Sequence, residues 1–212
     1  MNRTRIKVCG VQDVETARAA ADCGADAVGL VFVEGSPRLV DPEVGREIVS
    51  KLPPFMISVA VVRDLDLDAF SEVEEACPCA YAQMHGDEDE PTVAACGPYA
   101  IKAIAFDPAT IVAELRRWSR LAEVDAVLID GPRAGSGETI DWTSLAAAQK
   151  EVAVPKPLIL AGGLNAANVA EAIDVVKPYA VDVSSGVESQ RGVKDPDLIA
   201  AFCDAVRLAD AR

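Results

Sequence analysis

Arg5-Ile6-Lys7-Val8-Cys9-Gly10, close to the start of the chain, is the stretch whose reading decides the architecture. Side chains alternate across a strand, so Ile6 and Val8 share one face while Lys7 and Cys9 share the other. An apolar pair turned toward covering helices leaves a cation and a thiol pointing into the middle of a sheet or barrel. Gly10 ends the strand, and Asp13 opens a helical pattern carried by Val14, Ala17, Ala20 and Ala21. Strand, glycine turn and helix make one unit, and the unit recurs.

Short apolar runs predict strands near 5–9, 26–32, 56–62, 80–85, 99–105, 125–130, 157–161 and 180–184. Between them, helical patterns fall near 12–23, 42–52, 65–76, 88–96, 109–122, 142–150, 166–176 and 195–209. Several strands are rich in valine, isoleucine and alanine without clean alternation, as parallel strands buried on both faces are. Eight strand–helix units in order predict an α/β fold, a (β/α)8 barrel in one domain over 1–212. An open doubly wound sheet competes less well, because no G-x-G-x-x-G follows the first strand.

The 212 residues carry a net charge of −14 at pH 7, which argues against nucleic acid or an anionic membrane as partner. A small anionic substrate stays open, provided local donors hold it. No apolar run approaches a membrane span, and no hydrophobic signal region follows the first basic residues. The six cysteines have no framework spacing, and Cys77-Pro78-Cys79 lacks the two-residue gap of redox or zinc motifs. His85 is the single histidine, so no metal site is expected. These features predict a soluble cytoplasmic protein with reduced thiols.

In a barrel of this kind active sites sit at the carboxyl ends of the strands, and the unusual residues gather there. Cys9 beside Lys7 is a thiol in surroundings that favour thiolate, the form that abstracts protons; a buried structural cysteine is the alternative. Ala161-Gly162-Gly163 before a helix capped by Asn165, followed one unit later by Ser184-Ser185-Gly186, suits backbone amides approaching an anion. Phosphate on these two loops needs no basic patch; tight turns are the plainer explanation of either loop alone. Asp130 follows the apolar run Ala126-Val127-Leu128-Ile129, where a carboxyl with a raised pKa can serve as a general acid, or else cap a helix. Asp182 should point inward with Ser184, either to bind hydroxyls or as a satisfied buried carboxylate. Arg38 offers a planar fork for a substrate carboxylate, or a surface ion pair with Glu34 or Asp41 worth at most about 1 kcal/mol. His85 reads as a hydrogen-bonded rim residue with no catalytic role, and Trp118 and Trp142 as packing residues.

Taken together, these stretches resemble phosphoribosylanthranilate isomerase, a barrel enzyme family of tryptophan biosynthesis. The residues that carry the likeness are Lys7-Val8-Cys9-Gly10, Gly24-Ala25-Asp26-Ala27-Val28-Gly29, Ser36-Pro37-Arg38 and Gln83-Met84-His85-Gly86. Asp130, Gly135-Ser136-Gly137 with Asp141-Trp142, Leu160-Ala161-Gly162-Gly163-Leu164-Asn165 and Val181-Asp182-Val183-Ser184-Ser185-Gly186-Val187-Glu188 continue it in the family's order. The chain departs from the family at Ala134-Gly135-Ser136-Gly137-Glu138, at Val11-Gln12-Asp13 and at Val59-Ala60-Val61-Val62.

The resemblance implies an Amadori rearrangement of N-(5-phosphoribosyl)anthranilate, with neither metal nor organic cofactor, by a monomer or a homodimer. It implies Asp130 as general acid, Cys9 as general base, Arg38 on the anthranilate carboxylate and Asp182 by the ribose hydroxyls. Phosphate falls to the amides around Gly162, Gly163, Ser185 and Gly186. Two rivals are weighed. The related isomerase of histidine biosynthesis uses an aspartate as base on the first strand, which Cys9 argues against. A catalytically silent barrel that binds a phosphorylated metabolite need not keep Cys9, Arg38 and Asp130 together.

Overall fold

Strand parity organises the molecule. In the computed structural model, which describes residues 3–131 and 139–212, the first strand β1 (Arg5–Cys9) buries Ile6 and Val8 against the helix layer. Cys9 points the other way, into a small interior cluster with Val31 and Val61. The strands that follow are β2 (Ala27–Val31), β3 (Ile57–Val62), β4 (Tyr81–Met84), β5 (Ala100–Ala105), β6 (Val124–Asp130), β7 (Leu158–Leu160) and β8 (Ala180–Val183). Each pairs in parallel with the next, and β8 returns to β1 with Val183 opposite Val8, closing an eight-stranded barrel. Inside, Ala27, Ala103, Ala126, Ala161 and Ala180 leave room for Val59, Ile101, Leu128 and Ile159. That mix of small and branched side chains fills the barrel without a pore.

The outer ring is α1 (Val14–Asp22), α2 (Pro42–Lys51), α3 (Leu67–Ala76), α4 (Glu90–Cys96), α5 (Ile111–Arg120), α6 (Trp142–Val152), α7 (Val169–Val176) and α8 (Pro196–Asp210). Each buries an apolar stripe on the strands; Leu115, Trp118, Leu145, Ile199 and Phe202 are all but fully enclosed. Trp118 completes its burial by donating Nε1–H to Glu114 at 2.9 Å. Six helices begin on an aspartate whose carboxylate accepts first-turn amides: Asp13, Asp41, Asp66, Asp89, Asp141 and Asp195. A cap of this kind contributes about 1 kcal/mol and complements the helix dipole. Helix starts lie on the carboxyl rim of the barrel, so these caps put negative charge around the mouth. An anionic ligand must therefore be met by local donors inside it.

Two expectations need correcting. Asn165 does not cap α7: its side chain accepts the Ala167 amide at 2.9 Å, and the helix starts three residues later than Asn165 implies, with Asn168 at the cap position. Between the strand at 180–184 and the helix at 195–209 the sequence predicts no further element. The chain instead makes a 3-10 turn at Ser185–Val187 and an antiparallel hairpin, β9 (Glu188–Gln190) and β10 (Val193–Lys194). Strands of three and two residues are too short for periodicity to register. Among the described residues no helix is long and apolar enough to cross a membrane.

Candidate active site

At the carboxyl end of the barrel a cavity of about 260 Å³ is lined by Cys9, Arg38, His85, Asp130, Gly162, Gly163, Asp182 and Ser185, with Arg63 and Arg191 at its walls. Seven of the eight site residues read from the sequence therefore share one cavity. Gly186 is the exception. A Cβ placed there would lie 1.9 Å from the Leu164 carbonyl oxygen, so Gly186 lets the turn after β8 lie directly on the loop after β7. Gly135-Ser136-Gly137 falls outside the described residues.

Cys9 sits at the end of β1 with two lysines on hand. Lys7, on the same strand face, places Nζ 2.9 Å from Asp182 Oδ1, and its charge bears on the Cys9 thiol. Gly29 on the neighbouring strand makes this possible: a Cβ there would stand 2.9 Å from Cys9 Sγ and 3.1 Å from Lys7 Nζ. Lys194 on β10 donates to Ser184 O at 3.0 Å and Ser184 Oγ at 3.2 Å, and Ser184 Oγ donates to Cys9 O at 3.0 Å. The net effect on the thiol corrects the sequence expectation. Burial pushes the Cys9 pKa up, and Lys7 and Lys194 only partly oppose it. Each lysine is already paired to a carboxylate, so neither presents a free charge to the sulfur. Desolvation of the anion wins. Asp182 is likewise raised, by burial first and against the pull of Lys7.

Arg38 does not make the surface pair with Glu34 or Asp41. It is buried, and Nε and Nη2 grip Glu188 at 2.7 and 3.1 Å. The fork read as a clamp for substrate is thus committed to β9, which ties the loop after β2 to the loop after β8. Glu188 also accepts from Lys194 at 2.7 Å and from the Gly192 amide at 3.1 Å. Burial alone would raise its carboxyl, but these donors hold it down at about 2. A depressed carboxylate contributes stability that is complete above its unfolded pKa and lost as pH falls through the folded one. Between about pH 4.5 and pH 2 the chain should therefore lose up to about 3 kcal/mol through this group. Urea titrations over that interval should show the loss in the wild type and a flatter profile in Glu188→Gln; equal slopes would contradict it.

Gly162 and Gly163 both take positive φ, at 81° and 63°. Asn168 Nδ2 donates to the Gly163 carbonyl at 2.9 Å, which pins the loop at that residue. Among the described residues, the Gly162 and Gly163 amides donate no hydrogen bond. Such paired amides at the wall of a cavity suit a phosphate.

Asp130 ends β6, with Oδ1 accepting the Gly131 amide at 2.7 Å and Oδ2 lying 3.1 Å from His85 Nε2. The sequence alone makes His85 a hydrogen-bonded rim residue without a catalytic role. It is hydrogen-bonded on the rim, but its partner is the candidate acid itself. Strand ends four and six had already placed both residues on one rim, and the contact only appears when the barrel closes. Arg63, Arg191 and Lys194 carried no signal, being single cations in short polar stretches. Among the described residues no three His, Cys, Asp or Glu side chains converge to hold a metal ion.

With this geometry in hand, comparison with known proteins is direct. The family model for N-(5'phosphoribosyl)anthranilate (PRA) isomerase matches residues 6–205. An N-(5'-phosphoribosyl)anthranilate isomerase of Pseudomonas paraeruginosa is 43% identical over 212 residues, covering 98% of this chain and 97% of that protein. The crystal structure of phosphoribosyl anthranilate isomerase from Thermus thermophilus is 35% identical, with a TM-score of 0.86 over 99% of this chain and 100% of that one. A phosphoribosyl anthranilate isomerase in complex with reduced 1-(o-carboxyphenylamino)-1-deoxyribulose 5-phosphate is 34% identical, with a TM-score of 0.81 over 96% of this chain and 98% of that one. By sequence and by fold, the chain belongs to the N-(5'-phosphoribosyl)anthranilate isomerase family.

Proposed function

We propose that Asp130 and Cys9 divide the acid–base work of the isomerase reaction in this chain, the Amadori rearrangement of N-(5'-phosphoribosyl)anthranilate in tryptophan biosynthesis. Asp130 donates a proton to the ribose ring oxygen as the C1–O bond breaks, and the anthranilate nitrogen lone pair forms the Schiff base. Cys9, as thiolate, removes the proton from C2. That electron pair makes the C1–C2 double bond of an enolamine, which tautomerises to 1-(2-carboxyphenylamino)-1-deoxyribulose 5-phosphate. The observation that carries this reading is the opening of both residues into one cavity with the Gly162-Gly163 loop. An acid, a base and a phosphate anchor are then presented to one small ligand.

The remaining roles follow from what each group has free. The amides of Gly162, Gly163 and Ser185 take the phosphate, with Gly186 packing the loop after β8 against the loop after β7. Asp182, held by Lys7, stands by the ribose hydroxyls. Arg38 keeps Nη1 for the anthranilate carboxylate while Glu188 holds the rest of its fork. Arg38→Lys keeps the charge and loses that geometry. It should raise KM roughly tenfold or more with a smaller change in kcat, as removal of a charged hydrogen bond does. Steady-state kinetics check this, and an unchanged KM would remove Arg38 from the carboxylate.

The enzyme acts in the cytoplasm as a monomer or a homodimer on its small phosphorylated substrate, and binds no nucleic acid. The deciding experiment follows the loss of anthranilate fluorescence on freshly generated phosphoribosylanthranilate. Turnover by the purified chain supports the reading. Tight phosphate-ligand binding without turnover would replace it with a silent barrel.

A further inference from the structure

The assignment of Asp130 as general acid raises a question of supply. A general acid that gives up a proton in each turnover must recover it before the next, and a neighbouring imidazole can relay one. Asp130 Oδ1 is occupied by the Gly131 amide, so Oδ2 is the oxygen left to carry the transferable proton, and Oδ2 faces His85 Nε2 at 3.1 Å. We propose that His85 is a positioning residue that keeps Asp130 loaded, the two side chains holding the transferable proton jointly across the Nε2–Oδ2 contact. This inference rests on the reading of Asp130 as the acid.

The surroundings of His85 are built for that purpose. Its other ring nitrogen, Nδ1, lies 2.7 Å from the Gln83 amide nitrogen. Gln83 is fully buried, and its Oε1 has no hydrogen-bond partner among the described residues. The amide can meet Nδ1 in two ways. Its NH2 donates to a bare Nδ1; turned over, its Oε1 accepts Nδ1–H. The second arrangement belongs to the loaded pair, in which Nδ1 keeps its own proton and Nε2 shares one with Oδ2. When the ring oxygen takes the proton from Oδ2, Asp130 is left as carboxylate and His85 as the neutral Nδ1–H tautomer. A proton from solvent arriving at Nε2 restores the pair.

The backbone of His85 is held from three sides, which keeps the ring on its target. Its amide donates to Val62 O at 2.9 Å, and Arg63 Nε donates to its carbonyl at 3.3 Å. Lys102 Nζ binds the carbonyls on either side, Met84 O at 3.3 Å and Gly86 O at 2.7 Å. The charged groups around the pair are Arg63 from the end of β3, Lys102 of β5 with its partner Glu88, and Asp182 of β8 with its partner Lys7. Both lysines are neutralised by carboxylates, so Asp130 is the charge that the imidazole contacts directly.

The test uses the fact that His85 is the only histidine in the chain. In uniformly 15N-labelled protein the imidazole signals report its tautomer and protonation without assignment. Wild type should show the Nε2 signal of a proton shared with a carboxylate oxygen, and Asp130→Asn should lose it. If Asp130→Asn leaves the Nε2 signal unmoved, the sharing is refuted. In kinetics, His85→Asn should lower kcat/KM at pH 7 roughly tenfold or more with little change in KM. The deficit should shrink at low pH, where solvent loads Asp130 directly. An equal loss at every pH would mean a merely structural role and overturn the proposal. Asp130→Asn with wild-type activity would refute the acid assignment itself; an inactive Asp130→Asn beside a wild-type pH profile in His85→Asn would overturn only the sharing. Should His85→Asn fail to fold, the comparison of wild type with Asp130→Asn still decides.

Discussion

Cys9→Ser should lower kcat/KM by roughly two to four orders of magnitude while leaving the fold intact. Serine fills nearly the same volume, so the burial of Cys9 beneath Val31 and Val61 is preserved. The hydroxyl cannot be deprotonated at any working pH, and the proton on C2 then has no acceptor. The wild type should show its own signature. Burial lifts the Cys9 pKa, so the free enzyme holds mainly the thiol near neutrality and kcat/KM should climb as pH rises. A thiolate formed in so poorly solvated a site is also a stronger base than one in water, which offsets its scarcity. Circular dichroism and a pH series of initial rates check both statements. A Cys9→Ser variant that turns over at the wild-type rate would move the base elsewhere.

The largest expected loss of stability comes from Glu88→Ala. Lys102 points outward from β5 into the layer between barrel and helices, where its side chain is 4% exposed, and Glu88 at 2% exposure neutralises it over 2.7 Å. Glu88 also accepts the Asp64 amide at 3.0 Å and the Gly86 amide at 3.0 and 3.1 Å. Truncation leaves a buried ammonium without its counter-charge and two amides without an acceptor. Breaking such a pair from one side costs about 3–5 kcal/mol, which is roughly 10 °C in Tm for a domain of this size. Replacing both members by apolar residues, Lys102→Met with Glu88→Leu, should recover much of the loss because no charge is then stranded. Urea denaturation of the single and double variants distinguishes the two cases. A single variant within about 1 kcal/mol of wild type would show that solvent reaches Lys102.

The pair illustrates which features could be read in advance. Lys102 sits in the otherwise apolar run Ala100-Ile101-Lys102-Ala103-Ile104 and reads only as part of a strand. Nothing local tells that its ammonium will brace the backbone around His85 from the next strand. Arg38 makes the same point over a longer distance: its partner Glu188 is 150 residues away in the chain, and Glu34 and Asp41, close in sequence, are not its partners. The hairpin that delivers Glu188 and Lys194 was invisible because its strands are only three and two residues long. Asn165 accepts the amide two residues on, as a cap does, while Asn168 at the helix start makes no capping bond and turns back to the Asn165 amide and the Gly163 carbonyl; sequence gives no ground to choose which one starts the helix.

What the sequence determined by itself was everything governed by parity and period. Alternation in Arg5-Ile6-Lys7-Val8-Cys9 put the thiol inside and the apolar pair outside, and eight repeats of strand and helix gave the barrel and the rim on which the site residues lie. Only the tertiary structure decided how charged groups on that rim pair and how strongly each holds its proton. Which partner an arginine or a histidine meets depends on which loops the closed barrel brings within about 3 Å. Whether a thiol ionises depends on how much water that closure removes. Both are properties of the assembled site, because they are sums over neighbours that are distant in the chain.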